Sequence, residues 1–403
     1  MTSKEDIDQV YLYCIFICFA ILFFLSPLLF LFFTSFYCVF LSKAPHNFWG
    51  SFFPALYIGI IASIIDYNGF IVGDVNRYYE YFDIGSQVDD FSQSLVRFKL
   101  FQWLSFTLLN EFGFSVRLYT LFSVFIALTL FLCTFFNVIK FFDIKRTLIR
   151  NFLYFLLAVT LIPFDVIYSF EYITAVSILF FSYVYFYKSK IGVFLGSVIS
   201  LSIHNGVLLP LCILLSLFLF KAKYKRLVIS LVFYVSFFIL FFYGAATSPS
   251  SFLSYSAYKF YSYYSDFTFD FSILFVAFIY LFSFYVLSDF YKDKLFNVCS
   301  KELLLIDFIR VILNISPLLI LNSVFAQRFI VFIAPAFLVL YYRYFIYAKN
   351  TTLKVLCFSL LVLTNLSYAN ILVVNSLIKY VHVGEYSGAF LVTNIKELIE
   401  YYE

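Results

Sequence analysis

Long apolar runs broken by short basic turns fill most of the chain, and this pattern predicts helices sized to cross a bilayer. The runs are Val10–Leu41, Trp49–Ile65, Val116–Ile139, Phe152–Tyr168, Glu171–Lys188, Leu227–Tyr243, Phe271–Leu287, Leu303–Leu321, Phe329–Phe345 and Val355–Leu377. Val10–Leu41 reads as one long helix, kinked or tilted at Ser26-Pro27, with two short spans as the rival; Trp49–Ile65 is entered through Pro54. Ile191–Phe220 is a further run with His204-Asn205-Gly206 in its middle, read either as two short crossings or as a re-entrant segment. The expected fold is all-α, a polytopic integral membrane protein of about 11–12 transmembrane helices. It forms a single transmembrane domain over residues 1–403. No run shows the short alternation of a transmembrane barrel strand.

Two polar breaks interrupt this pattern, 66–114 and 244–270. The first holds Gly73-Asp74-Val75-Asn76-Arg77-Tyr78-Tyr79-Glu80-Tyr81-Phe82, and a helix from Asp74 places Asp74, Arg77, Tyr78 and Tyr81 on one face. Its second half, Phe98–Phe112, is amphipathic, with Phe98, Phe101, Leu104 and Leu108 opposite Lys99, Gln102 and Asn110. Such a helix lies along an interface or dips into it.

Composition sharpens the membrane reading. Hydrophobic residues make up 64% and charged residues 12%, with a mean hydropathy of +0.96, so a 403-residue soluble domain set is excluded. The net charge of +4 carries little information about partners, and no feature points to nucleic acid. The basic residues instead report topology: 17 of the 27 fall in the connections 43–48, 140–150, 188–190, 221–226, 289–301 and 343–354. These lie on one side if 191–220 crosses twice, and the positive-inside rule makes that side cytoplasmic. Both breaks and both termini then face outward. Seven cysteines show no metal or redox spacing, and six lie in apolar runs as small hydrophobes. No cofactor motif, phosphate loop or HExxH element is present, and no cleavable signal pattern opens the chain.

Charges in or against apolar spans are the informative chemistry, because each is costly unless paired or hydrated. They are Asp74, Arg77, Arg97, Arg117, Asp165, Glu171, His204, Asp307, Arg310 and Arg328. Most fall toward the outer half, where several cations beside a few carboxylates suit an anionic, polar ligand; arginine's planar fork fits phosphate. Each also has a structural explanation. Asp74 with Arg77, and Asp307 with Arg310, stand at i, i+3 as local pairs, and mutual pairing is the favoured account of the second. His204 is equally suited to hold a carbonyl freed by the helix break. Glu171 and Arg117 read as interfacial end-caps. Tyr255, Tyr258, Tyr261, Tyr263 and Tyr264 read as belt residues before a sugar-stacking platform.

Gly73-Asp74 followed by Tyr78/Tyr79 and Phe82 after a membrane span resembles the G-x-D-x-x-x-Y-x-x-F element of the EpsG-like group of Wzy-type bacterial polysaccharide polymerases. Phe170-Glu171 before Ile173-Thr174-Ala175, Ser202-Ile203-His204-Asn205 and Gln327-Arg328-Phe329 follow in the order of that family's elements, over about residues 50 to 345. Glu171 departs from the family's Arg-Gln pair. The resemblance implies a GT-C-like, metal-independent glycosyltransferase in the bacterial inner membrane, its site facing the periplasm. It would join undecaprenyl-diphosphate-linked oligosaccharide repeats into O-antigen or capsule, with membrane lipid and a chain-length regulator as partners. In that chemistry the candidate bases are Asp74, then His204, then Asp165. Arg77 and Arg328, with Arg97 behind them, would hold the diphosphate. Tyr78, Tyr81, Glu171 and Arg310 complete the expected substrate surface. The rivals are a flippase for the same lipid-linked sugars, disfavoured by the lack of an internal repeat, and a membrane acyltransferase.

Overall fold

The computed structural model describes residues 26–36, 48–64, 78–79, 82, 100–139, 170–220, 224–248, 250–265 and 300–320, with isolated positions elsewhere. Among the described residues 91% are helical and none is in a strand, so the all-α class holds for them. The helices are α1 (Pro27–Phe36), α2 (Phe48–Ile64), α3 (Leu100–Glu111), α4 (Arg117–Ile139), α5 (Phe170–Tyr185), α6 (Lys190–Ile203), α7 (Leu208–Leu219), α8 (Lys225–Ala246), α9 (Phe252–Ser265) and α10 (Ser300–Ile320). Two are long and apolar enough to cross a membrane, α4 over Arg117–Thr134 and α8 over Lys225–Ala246. The expected spans 152–168, 271–287, 329–345 and 355–377 lie wholly or largely outside the described residues.

Local chemistry explains the boundaries. The expected kink at Ser26-Pro27 is a helix start: the Ser26 hydroxyl accepts the Leu29 N–H at 3.3 Å, and Pro27 occupies the first turn, where no N–H is needed. α3 ends at Gly113, whose φ of 69° only glycine adopts without cost. There Phe114 N–H donates to the Leu109 carbonyl at 2.9 Å and Gly113 N–H to that of Asn110 at 3.2 Å, a Schellman closure.

Small and hydroxylated residues let the helices approach closely. α2 presents Ser51, Ala55, Gly59 and Ser63 at four-residue spacing, and the Gly59 Cα lies where an added Cβ would stand 3.1 Å from the Leu121 carbonyl oxygen of α4. The Thr174 hydroxyl of α5 donates to the Ser123 carbonyl of α4 at 2.9 Å, and Ser200 of α6 to the Ala175 carbonyl of α5 at 2.6 Å. α8 and α10 are joined by the Tyr234 hydroxyl on the Asn314 carbonyl (2.9 Å) and by Asn314 Nδ2 on the Ser230 hydroxyl (3.2 Å). Outside, the helices are apolar: Leu227, Leu231, Val235, Ile239 and Phe242 form an exposed stripe along α8.

The structure adds detail to both breaks. On α3 the apolar residues Leu104 and Leu108 are exposed while Gln102 and Phe106 are buried. Leu104 and Leu108 thus face away from the protein, the orientation that a helix lying along an interface takes, and Asn110 is exposed with them. The segment 244–270 is also more than a polar loop, since α9 folds back on the C-terminal half of α8. Phe237 meets Phe260 at 4.8 Å and Phe241 meets Tyr261 at 5.3 Å. Gly244 makes this contact possible, because an added Cβ would collide with the Ala257 backbone carbonyl. Gly244→Ala is expected to cost roughly 1–3 kcal/mol by overpacking, read as a lowered melting temperature; an unchanged melt would mean that α9 moves freely on α8.

The run 191–220 resolves into a turnback. α6 runs along α5 from its C-terminal end to His204, a short 3₁₀ turn (Asn205–Val207) follows, and α7 returns. Phe218 near the end of α7 stacks edge-on against Tyr183 (5.9 Å) and Tyr187 (5.8 Å), back at the C-terminal end of α5. Both ends of the run therefore lie at the same end of the bundle.

Candidate functional site

The opposite end of the bundle holds a separate group of polar side chains. Here lie the C-terminus of α2, the first turns of α4 and α5, and the His204 turn. Arg117 at the start of α4 donates from Nη1 to the Ser63 carbonyl at 3.3 Å, so it serves the C-terminal end of α2, where a cation is favourable. That is the end-cap role expected for Arg117. For Glu171 the end-cap reading is overturned. It stands in the first turn of α5 but is 1% exposed, and two phenols hold its carboxylate. Tyr78 donates to Oε2 at 2.6 Å, and Tyr119 of α4 donates to Oε1.

Aromatic rings enclose this carboxylate. Phe170 lies 5.2 Å from Tyr78 and 5.4 Å from Tyr119, and Phe106 of α3 lies 5.1 Å from Tyr119. Phe82, four residues beyond Tyr78, packs edge-on against Phe106 at 5.4 Å. The neighbouring Tyr79 hydroxyl lies 3.5 Å from the Thr120 hydroxyl. Three separate stretches, around Tyr78, Tyr119 and Glu171, are thus tied by one buried acid. In surroundings of low dielectric, charge-assisted bonds of this kind are stronger than the same bonds in water.

One residue along α5, Tyr172 stacks edge-on against His204 at 5.2 Å. The His204 backbone is extended (φ −152°, ψ 123°), which ends α6, and its Nδ1 accepts the Gly206 N–H at 2.9 Å. Nδ1 is therefore unprotonated in this arrangement, and the neutral ring carries its proton on Nε2. His204 as placed is a turn cap and an Nε2–H donor; to act as a base it must change tautomer and release the turn. His204→Asn, whose Oδ1 can replace Nδ1 as the acceptor, is expected to keep the fold, whereas His204→Ala is expected to lose roughly 1–2 kcal/mol. Equal melting temperatures for the two would remove the capping role.

Of the expected site residues, Tyr78, Glu171 and His204 come together at this end. Arg310 does not. It lies one turn beyond Asp307 on α10, whose intervening Phe308 packs on Phe180 at 5.2 Å. Phe180 is nine residues further along α5 than Glu171, about 14 Å down the axis. Nor do Asp307 and Arg310 form an exclusive pair, since Asp307 Oδ2 lies 2.8 Å from Lys225 Nζ and Oδ1 lies 3.6 Å from Arg226 Nε. The basic start of α8 offers closer partners than the residue one turn away. Asp74, Arg77, Tyr81, Arg97, Asp165 and Arg328 lie outside the described residues.

The sequence reading missed Tyr119 as the second clamp and Tyr172 as the partner of His204, both of which resemble belt tyrosines at helix ends. Compared with protein-family models, curated proteins and solved structures, the chain matches none.

Proposed function

We propose that this protein is a multi-pass membrane glycosyltransferase that polymerises lipid-diphosphate-linked oligosaccharide repeats, its reaction centre at the Glu171–His204 end of the bundle. The observation that carries the proposal is the Tyr78–Glu171 bond, spanning 93 residues of sequence. It fastens Tyr78, which follows Asp74 and Arg77 in the sequence, to the turn that opens α5, beside His204. Three of the elements that resemble the polymerase pattern thereby sit together, away from the basic end marked by Lys188, Lys190, Lys225 and Arg226. Exposed apolar side chains along α6 and α8, with hydroxyls turned inward, support a lipid setting.

In this reading a sugar hydroxyl of the incoming unit attacks the anomeric carbon of the growing chain. The bond from that carbon to the diphosphate oxygen breaks, and the lipid diphosphate leaves with its electron pair. Asp74 takes the proton from the attacking hydroxyl. Arg77 and Arg328 balance the charge that develops on the leaving group. Glu171 positions rather than reacts, because both of its oxygens are already engaged by phenols.

The test uses purified protein in proteoliposomes with one defined lipid-diphosphate repeat. A ladder of products supports the polymerase. Protein-dependent crossing of a fluorescent lipid-linked sugar with no ladder would replace it with a flippase.

A further inference from the structure

The buried face of α3 carries a polar group that the Glu171 latch does not use. Gln102 and Phe106 stand one turn apart on that face. Phe106 lies 5.1 Å from Tyr119 and 5.4 Å from Phe82. Phe101, the residue before Gln102, lies 5.8 Å from Tyr119. Gln102 is therefore set against the aromatic wall around Glu171, because Tyr119 is one of the two phenols on that carboxylate. It is 7% exposed, yet among the described residues its carboxamide has no hydrogen-bond partner. Neither amide atom is among the fully enclosed polar atoms, so the little surface that Gln102 keeps includes its polar end. The hydroxyls of Ser123 and Ser177 also lack partners, but each is a single, fully enclosed O–H. Gln102 presents two donors and an acceptor where solvent still reaches them. An unpaired amide in a buried position is costly to the fold, and packing alone is served as well by an apolar side chain of the same size.

We propose that the Gln102 carboxamide binds neutral sugar hydroxyls of the oligosaccharide substrate, beside the Tyr119–Glu171 latch. The chemistry of the group selects this ligand. A carboxamide offers a donor and an acceptor side by side, which fits a pair of hydroxyls, since each hydroxyl both donates and accepts. An anion would meet the amide oxygen as well as the N–H groups, and a cation would leave the N–H groups unpaired. Aromatic rings beside one well-placed polar group are what a site needs to take the apolar C–H face of a sugar and read its hydroxyls. The choice of a sugar rests on the polymerase reading of this end. The binding role rests on burial without a partner, and it predicts that stability and function move in opposite directions.

Gln102→Met keeps the length of the side chain and removes its hydrogen-bonding atoms. Purified full-length protein is melted alone, with inorganic diphosphate, and with the oligosaccharide released from the lipid-diphosphate repeat of the ladder assay. Without additions, Gln102→Met is expected to melt at or above the wild-type temperature, because it loses an unpaired buried amide. The oligosaccharide is expected to raise the wild-type melting temperature and to leave that of Gln102→Met unmoved. Diphosphate should act on both proteins alike. In the ladder assay Gln102→Met should raise KM about 10–100-fold with kcat within about threefold, the pattern of lost ground-state binding. Gln102→Asn, which keeps the amide but draws it back by one methylene, should fall between. A Gln102→Met protein that melts below wild type would show that the amide holds the fold. One with the wild-type KM and sugar shift would show that it binds nothing, and a wild type that the sugar does not stabilise would do the same. Each of these overturns the proposal, and a wild-type ladder formed alongside leaves the polymerase reading standing. A sugar shift that depends on Gln102, in a protein that forms no ladder, supports the sugar site and fails the polymerase instead.

Discussion

Glu171→Ala is expected to unsettle the whole Tyr78–Tyr119 end of the bundle and to abolish polymer formation with it. The substitution leaves two buried phenols without their acceptor, a loss of roughly 2–4 kcal/mol. The activity loss is expected to exceed what stability alone explains, because Tyr78 directly follows Arg77, to which the proposed reaction assigns the diphosphate. A shift on the order of 1 Å at a reacting group is enough for a hundredfold loss. Glu171→Gln retains one acceptor but aims an amide donor at the second phenol, so an intermediate melting temperature is expected. Tyr78→Phe and Tyr119→Phe each remove one bond. Because they share one carboxylate, the double variant should depart from the sum of the singles by 0.5 kcal/mol or more. Strict additivity would show that the two phenols act separately, and a Glu171→Ala protein that melts and polymerises as wild type would remove the latch from the account.

The second large effect concerns the residues assigned to the reaction. Asp74→Asn is expected to lower polymerisation about 10²–10⁴-fold, the range of a general base. Arg328→Ala should cost about 10²–10³-fold, the range of a lost charge contact to a transition state. Neither residue is assigned a structural role, so both variants are expected to melt as wild type does. Initial rates of repeat addition, measured beside melting curves, check this. An Asp74→Asn protein with normal rates would pass the role of base to His204 or Asp165. His204 would first have to give up the Gly206 N–H on Nδ1.

How far these features were legible in the sequence depends on the physics behind each. Helix existence was written in the hydrophobic runs: Trp49–Ile65 corresponds to α2 (Phe48–Ile64) and Val116–Ile139 to α4 (Arg117–Ile139). The break at His204 was visible because three polar or flexible residues interrupt an apolar run. Orientation of a face was harder to read. The pattern of α3 marked an amphipathic helix at an interface but did not say which face meets the protein; the structure buries Gln102 and Phe106 and turns Leu104 and Leu108 outward. The small residues Ser51, Ala55, Gly59 and Ser63 were a readable signal of close α2–α4 packing, since their four-residue spacing lays them along one face.

The site was legible in part for a different reason. Glu171 and Tyr78 stood out as polar residues against apolar spans, but nothing local in the chain says that a residue 93 positions away is the partner. Tyr119 carried no signal at all, because a tyrosine two residues after Arg117 at the head of a span is what an interfacial belt also provides. Asp307 illustrates the same limit. The i, i+3 arginine was the nearest cation in sequence, while Lys225, on another helix, is the one 2.8 Å away.

The most direct test of the account is the ladder assay run on three proteins in parallel with a single lipid-diphosphate repeat. Wild type is predicted to give a ladder and Asp74→Asn a single unextended band. Ser189→Ala, which removes only the N-cap of α6 at the basic end, is predicted to give a ladder like that of wild type. A wild-type protein that yields no ladder would contradict the polymerase reading itself, and an Asp74→Asn protein that yields a full one would contradict Asp74 as its base.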